Sequence, residues 1–286
     1  TKGLIPHTAR RARLIIANSE YSKWQIVRCL GIPEDRIRVT PLAASPEFMP
    51  MPVRRDQPYF LYVGNLEPRK NLERLVEAFA RMPGKDHDLV IVGNRWYRGG
   101  DVERKVRSLG LNGRVKFFGY VPRADLPGLF SGATAFVYPS LLEGFGLPIV
   151  EAMACGTPVI TSNSSALREV AGDAAVLVDP VSVRELTEAM EGVAEDKRMQ
   201  EELAAAAASE EAQRSAVGGH RRRPSAVQQR RDAEAHLATQ SLREIFRKLA
   251  SALHPDRELD PARRDEKTEL MQKVNQAYAA NDLVTL

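Results

Sequence analysis

Cysteine, aromatic residues and long apolar runs are all scarce in this chain of 286 residues. Its two cysteines, Cys29 and Cys155, are too few for a small disulfide-rich secreted scaffold and favour a reduced, cytoplasmic protein. No apolar run approaches the roughly 18 residues that a membrane-spanning helix needs, and the first residues lack the apolar segment of a secretory signal. The scarcities therefore argue against secreted scaffolds and membrane-spanning classes.

The excess of positive charge is small and local. The formal net charge is +4, and basic residues gather between Arg214 and Arg231, in RSAVGGHRRRPSAVQQRR. No aromatic side chain alternates with these arginines to stack on bases, so no nucleic acid partner is expected. We interpret the run as a solvated linker, with peripheral contact to an anionic membrane as the alternative. Scattered histidines and the lack of a carboxylate cluster predict no metal cofactor.

Short apolar runs alternate with amphipathic segments along the middle of the chain. The runs are YFLYVG, DLVIVG, RVKFFG, AFVYPS, PVITS and AAVLVD. Runs without polar alternation are typical of strands buried on both faces, and the segments between them are typical of crossover helices. The sequence therefore predicts an α/β fold with a doubly wound parallel sheet of Rossmann type, followed by a small helical segment. Ligands of such sheets lie at the C-terminal ends of the strands.

The first part of the chain predicts a strand, a helix and a second strand. LIIAN and RIRVTPL are the apolar runs, and SEYSKWQIVRCLG lies between them. Ser19 suits the N-cap of this helix, and Gly31 suits the position just beyond its end. A proline-rich connector then leads to the main alternation.

The stretch LLEGFGLPIVEAMACG, which follows AFVYPS, predicts a ligand site. Gly144 and Gly146 favour a tight turn, and a proline follows at the first turn of a helix. Backbone N–H groups near Gly146 and Leu147 would then face the ligand at the positive end of the helix, where a phosphate is stabilised. Glu151, about one turn into the helix, suits the two hydroxyls of a ribose, while Glu143 stays in the loop.

A second candidate feature, VGNLEPRKN, follows the first strand of the predicted sheet. Gly64 would allow close approach of the backbone to a ligand, and Arg69 and Lys70 place two positive charges at the mouth of the site. Such a pair suits a diphosphate and would neutralise it as it departs. Alone, Glu143 could be a surface acid and the basic pair a solvated helix start. Together, on loops at one edge of a sheet, they predict a shared site.

These motifs, with the seven residues between the two glutamates and the following ACGTPVI, closely resemble the nucleotide-binding half of retaining GT-B glycosyltransferases. The resemblance runs from about Leu14 to Ala208. It implies transfer of a sugar, with mannose favoured, from GDP-mannose or a UDP-sugar to a glycan or lipid-linked acceptor. It also implies retention of configuration and no required metal. The expected location is cytoplasmic, with peripheral membrane association as the alternative.

The resemblance assigns roles to residues. It implies that Arg69 and Lys70 meet the diphosphate and that Glu143 lies by the donor sugar, where we favour an electrostatic and hydrogen-bonding role over a nucleophilic one. The residues implied in nucleotide binding are Gly64, Asn65, Gly119, Tyr120, Val121, Phe145, Gly146, Leu147 and Glu151. Many members of the family carry Arg where Asn65 stands, which weakens the case for Asn65 as a phosphate ligand.

The same family resemblance suggests how the chain divides into domains. Residues 1–40 resemble a remnant of the N-terminal acceptor domain, residues 41–208 the donor domain and residues 209–239 a basic flexible linker. A donor domain without its acceptor domain is expected to bind nucleotide but to transfer sugar poorly, because positioning both reactants supplies much of the rate.

Residues 240–286 resemble part of a J-domain. A basic helix in LREIFRKLASALHPD ends at the His-Pro-Asp sequence of His254–Asp256, and a second helix contains NQAY. The resemblance implies a chaperone partner and gives an alternative function, an adaptor or co-chaperone acting through this tail. Taken alone, His-Pro-Asp would simply end one helix and cap the next.

Overall fold

A computed structural model describes residues 4–53, 56–94 and 100–217 of the protein. Two short strands come first, β1 (Ile15–Ala17) and β2 (Ile37–Val39). The six strands of the main sheet are β3 (Tyr59–Val63), β4 (Asp88–Val92), β5 (Val115–Gly119), β6 (Ala135–Tyr138), β7 (Val159–Ser162) and β8 (Val176–Val178). The α-helices are α1 (Leu4–Arg11), α2 (Glu20–Leu30), α3 (Leu72–Arg81), α4 (Gly100–Ser108), α5 (Leu126–Gly132), α6 (Leu147–Ala154), α7 (Ser165–Ala171), α8 (Val183–Glu195) and α9 (Lys197–Val217).

The main sheet is parallel throughout and has the strand order β5-β4-β3-β6-β7-β8. The chain enters at β3, builds outward to β5, and then returns to place β6 on the other side of β3. This reversal of direction creates the crevice in which ligands of such sheets bind. The predicted doubly wound α/β fold is confirmed.

Burial along the strands explains why their sequences lack polar alternation. Every residue of β4, β6 and β7 is buried, because helices cover both faces of the sheet. The core includes the aromatic side chains of Phe60, Tyr62 and Phe136, each with no solvent exposure. The main sheet therefore holds its strand ends rigidly, which fixes the loops that leave them.

The first two strands form a separate small sheet against α2. β1 and β2 pair in parallel, and Ala17, Ile32 and Ile37 form a small core beside the helix. The Ser19 hydroxyl accepts a hydrogen bond from the Ser22 backbone N–H, and Gly31 has the left-handed conformation that ends the helix. Both predicted helix boundaries are confirmed.

The long helix α9 packs against α6 and α8 and extends the main domain. The predicted linker, residues 209–239, differs from the structure over residues 209–217, which are the last part of α9. A carboxylate oxygen of Glu211 accepts the backbone N–H of Ala44, and the Arg214 guanidinium donates to the carbonyl of Val170, so these residues are anchored. The other domain boundaries stay predictions.

The J-domain-like segment of residues 240–286 lies outside the described residues, with its His254–Asp256 sequence. Among the described helices, none has the length and the apolar character that crossing a bilayer requires.

Candidate functional site

The loops that follow β3 and β6 are tied together at the point where the sheet reverses direction. The turn Pro68–Lys70 ends at Asn71, which has a left-handed backbone with a φ of 63°. The Asn71 side-chain amide donates to the carbonyls of Pro139, at 3.0 Å, and Pro180, at 2.6 Å. The Leu141 backbone N–H donates to the Arg69 carbonyl at 2.8 Å. The two loops are therefore held side by side by backbone and buried amide contacts.

One carboxylate oxygen of Glu143 contacts both cations of the loop that follows β3. Glu143 Oε1 lies 2.5 Å from Lys70 Nζ and 2.9 Å from Arg69 Nη1. The Tyr138 hydroxyl donates to the same oxygen at 3.1 Å and also contacts Lys70 Nζ. Arg69 Nε forms a further ion pair with Glu67 at 2.7 Å. We call Arg69, Lys70 and Glu143 the charge cluster.

The members of the charge cluster differ in depth. The Lys70 side chain is 8% exposed and that of Glu143 is 11% exposed, whereas that of Arg69 is 45% exposed. Both cations were expected at the mouth of the site, but only Arg69 is exposed, because Tyr138 and Glu143 hold the Lys70 amine below the surface.

At Glu143 and at Lys70 alike, burial and the oppositely charged neighbours shift the pKa in opposite directions. Burial raises the pKa of Glu143, but Lys70 and Arg69 outweigh it, so this pKa lies below its ordinary value. Burial and the neighbouring Arg69 lower the pKa of Lys70, and Glu143 offsets only part of that effect. Glu143 is therefore ionised at neutral pH and acts as an acceptor rather than a proton donor.

The turn that leads into α6 depends on glycine. Gly146 has a φ of 101°, and a Cβ there would lie 2.6 Å from Leu167 Cδ2. Phe145 before it is buried, and α6 begins at Leu147 with a proline in its first turn, as the sequence predicted. The positive end of α6 thus begins four residues after Glu143.

The second predicted glutamate has a different cation. Glu151 Oε1 lies 3.0 Å from Arg123 Nη1, and the Glu151 side chain is 6% exposed. Arg123 also pairs with Glu47 at 3.0 Å and covers the ring of Phe48, both on the connector that follows β2. Burial raises the pKa of Glu151, and Arg123 offsets only part of that rise.

Arg123 contacts a predicted site residue, Glu151, but was not itself predicted. It follows Val121 by two residues, so a cation directly after the predicted base-binding loop was the available signal. The structure places this loop beside α6 through the contact of Arg123 with Glu151. Tyr120 is half exposed there, and Val121 packs against the core.

Close backbone packing joins the first three loops of the sheet edge. The Gly64 N–H donates to the Val92 carbonyl at 2.9 Å, and the Gly93 N–H donates to the Gly119 carbonyl at 2.7 Å. A Cβ on Gly93 would lie 2.0 Å from the Gly64 carbonyl oxygen, so only glycine fits there. Asn65 is exposed, and its carbonyl accepts from the Tyr62 hydroxyl at 3.2 Å.

The predicted residues Arg69, Lys70, Glu143 and Glu151 thus fall into two groups, which the first turns of α6 connect. One is the charge cluster, and the other is Glu151 with the unpredicted Arg123. Within the described ranges no three His, Cys, Asp or Glu side chains gather as a metal-binding group.

Comparison with known proteins gives consistent matches. The family model "Glycosyl transferases group 1" matches residues 47–210, more than half of the chain. The chain is 40% identical over 186 residues to O-antigen chain mannosyltransferase B of Escherichia coli, covering 60% of this chain and 49% of that protein. It is 30% identical over 177 residues to O-antigen chain mannosyltransferase RfbU of Salmonella typhimurium, covering 62% and 50%. The chain therefore spans about half the length of these relatives.

A solved structure has a similar fold. The structure of Anabaena Alr3699/HepE in complex with UDP and glucose aligns with a TM-score of 0.68 and 26% identity, over 74% of this chain and 62% of that one.

Proposed function

The chain belongs to the group 1 glycosyl transferases, and on that basis we propose that it supplies the donor half of a retaining sugar transferase. The donor is a nucleoside-diphosphate sugar, and the acceptor is a hydroxyl of a glycan or lipid-linked glycan. Mannose is the favoured sugar, because two relatives are named as O-antigen mannosyltransferases. The acceptor domain is needed for efficient transfer, since the reaction requires both partners in one geometry.

The observation that carries this proposal is the charge cluster at the reversal of the sheet. Arg69 and Lys70 reach the same carboxylate from a loop on the neighbouring strand, at 2.9 and 2.5 Å. Two cations beside the first turn of α6 form a site for a group with two negative charges. A diphosphate fits this arrangement, with the exposed Arg69 gripping it first and the deeper Lys70 acting as a fixed charge.

The same cations explain how the bond to the sugar would break. As the bond between the anomeric carbon and the diphosphate oxygen lengthens, negative charge grows on that oxygen, and Arg69 and Lys70 stabilise it. The acceptor oxygen then bonds to the anomeric carbon from the same face, and its proton passes to the departing diphosphate. Configuration is retained without a covalent intermediate.

The state of Glu143 favours the electrostatic role over the nucleophilic one. Its carboxylate is shared between two cations and a tyrosine hydroxyl, which reduces its electron-donating power. Its lowered pKa keeps it ionised, so it can accept a hydrogen bond from the sugar and favour positive charge at the anomeric carbon. We assign Glu143 this role.

The Glu151–Arg123 pair supplies the nucleoside end of the site. Glu151 is nearly buried in α6 and offers its oxygens to a ribose, while Gly119–Val121 line the position of the base. The backbone of Phe145, Gly146 and Leu147 lies between the two ends, next to the phosphates. Gly64 and Asn65 border the site from β3.

Titration calorimetry of the full chain with GDP, UDP and dTDP tests the proposal and identifies the base. One nucleotide should bind, and Lys70→Ala and Glu151→Ala should each lose that binding. Lys116→Ala is the matched control. Lys116 forms a 2.5 Å ion pair with Asp88 near the N-terminal ends of β4 and β5, whereas the proposed site lies at the C-terminal ends of the strands. If the folded wild-type chain binds none of the three nucleotides, the proposal is wrong.

A further inference from the structure

The start of α2 is hydrogen-bonded directly to the loop that carries Glu143. Ser19 Oγ donates to the Gly144 carbonyl at 2.6 Å, and Ser22 Oγ donates to the same carbonyl at 2.9 Å. Ser19 is completely buried, and it lies 125 residues before Gly144 in the chain. Two hydroxyls on one carbonyl oxygen use both of its lone pairs, so this peptide group has a defined position.

A carboxylate from α7 strengthens the same junction. Glu169 accepts the backbone N–H of Glu20 at 2.9 Å through one oxygen and that of Tyr21 at 3.1 Å through the other. These N–H groups belong to the first turn of α2, which has no acceptors within the helix, and a negative charge is favoured at this end. The start of α2 is therefore bound to the main domain at two places.

The junction bears on Glu143 because Gly144 is its neighbour in the chain. The Glu143 N–H donates to Ser165 Oγ at 3.2 Å, so the residue is held on one side by α7 and on the other by α2. The 2.5 Å contact between one Glu143 oxygen and Lys70 depends on this backbone position. A shift of Gly144 would weaken the contact of Glu143 with the sugar, whereas Arg69 and Lys70 would still hold the diphosphate.

We infer that Ser19, Ser22 and Glu169 are positioning residues that align Glu143 with the donor sugar, so the segment containing α2 controls how the donor is held. The inference rests on the proposed function, because it concerns the contact between Glu143 and the sugar. The three residues act through the Gly144 peptide group and the start of α2, and do not touch the donor themselves.

The test compares a nucleotide with and without its sugar. Calorimetry on the full chain gives the affinities for GDP and GDP-mannose and for UDP and UDP-glucose. The Ser19→Ala, Ser22→Ala double variant should bind the sugar nucleotide about tenfold more weakly than the wild type, while the affinity for the matching diphosphate changes less than about twofold. Ser22→Ala alone and Glu169→Gln should show smaller changes in the same direction.

Loss of a helix cap must be separated from loss of alignment. Ser182→Ala is the matched control, because Ser182 caps α8 by accepting the Glu185 N–H, and no hydrogen bond within the described ranges joins it to the Glu143 loop. It should leave the ratio of the two affinities unchanged. If both ligands weaken in parallel in the double variant, or if neither changes, the inference is wrong. A wild-type chain that binds no nucleotide overturns the proposed function, and the inference with it.

Discussion

Lys70 Nζ and Glu143 Oε1 are 2.5 Å apart, although the two residues are separated by 73 positions in the chain. The pair spans the loops of β3 and β6, and Arg69 contacts the same oxygen. The carboxylate thus occupies the cations that a diphosphate would use. Under the proposed function, a diphosphate must compete with Glu143 for them. The pair therefore gives the first two predictions, one on stability and one on this competition.

Glu143→Gln should lower the free energy of unfolding at pH 7 by about 1–3 kcal/mol, because it leaves the buried Lys70 amine without its counter-charge. The pKa of Glu143 is lowered in the folded protein, so its stabilisation is complete above the unfolded value near 4.5 and is lost as pH falls through the folded value. Urea unfolding at pH 7 and at pH 3 should therefore show a difference between wild type and variant that shrinks in acid. Glu188→Gln, in an exposed pair with Arg184, is the control. A difference that is independent of pH would contradict the prediction.

The same variant should bind the bare nucleoside diphosphate more tightly than the wild type does. Removing the Glu143 charge releases Lys70 and Arg69 Nη1, while Arg69 Nε keeps its pair with Glu67. A gain of roughly 1 kcal/mol corresponds to about fivefold in affinity. Calorimetry with the nucleotide that the wild type binds measures this. Glu67→Gln, which removes only the pair of Arg69 with Glu67, should give a smaller gain. Weaker binding by Glu143→Gln would show that Glu143 holds the cations in place for the phosphates rather than competing for them.

Glu151→Gln should stabilise the protein at neutral pH. The folded pKa of Glu151 is raised, so its contribution to stability is full below the unfolded value near 4.5 and falls as pH rises through the folded value. The amide avoids the cost of burying a charge, and Arg123 keeps its pair with Glu47. The gain should be about 1 kcal/mol at pH 8 and should vanish near pH 4. Thermal unfolding at both pH values measures it.

Glu47→Gln is the comparison variant for that measurement. It removes the exposed partner of Arg123 and leaves the buried one, so it should not stabilise the protein at pH 8. A Glu151→Gln variant that melts below the wild type at pH 8 would mean that Arg123 compensates fully for burial of the carboxylate.

Gly146→Ala should destabilise the protein by about 1–3 kcal/mol, because alanine is strained at a φ of 101° and its Cβ meets Leu167. Gly128→Ala is the matched control. Gly128 lies inside α5, a Cβ there would meet no atom within 4 Å, and alanine favours a helix by about 0.5–1 kcal/mol. Thermal unfolding should therefore move in opposite directions for the two variants. Equal melting temperatures would show that the turn tolerates a side chain.

Much of the fold was predictable because the physical signals are local. The apolar runs became strands: β4, β6 and β7 are buried on both faces, while the edge strand β5 alternates between buried and exposed residues. Ser19 and Gly31 lie at the two ends of α2, as their side-chain and backbone preferences require. The turn at Gly146 was also predictable, since a glycine shortly before a proline is typical of a tight turn that leads into a helix.

Contacts between distant loops were not predictable from residue types. Arg123 pairs with Glu151 because the loop after β5 lies beside α6, and no local pattern in the sequence reports that proximity. The depth of Lys70 was missed for a similar reason, because the ring that covers it, Tyr138, comes from β6. The end of α9 was misplaced because its anchors, Ala44 and Val170, lie far away in the chain.

The position of β6 beside β3 also determines when the Lys70–Glu143 pair can form during protein synthesis. A ribosome releases the amine of Lys70 long before the acid that matches it, and until β6 arrives that amine stays in water. Docking of β6 completes the middle of the sheet and delivers the acid in the same event, a late step because it joins segments far apart in the chain. A nascent chain halted before β6 would carry Arg69 and Lys70 without Glu143.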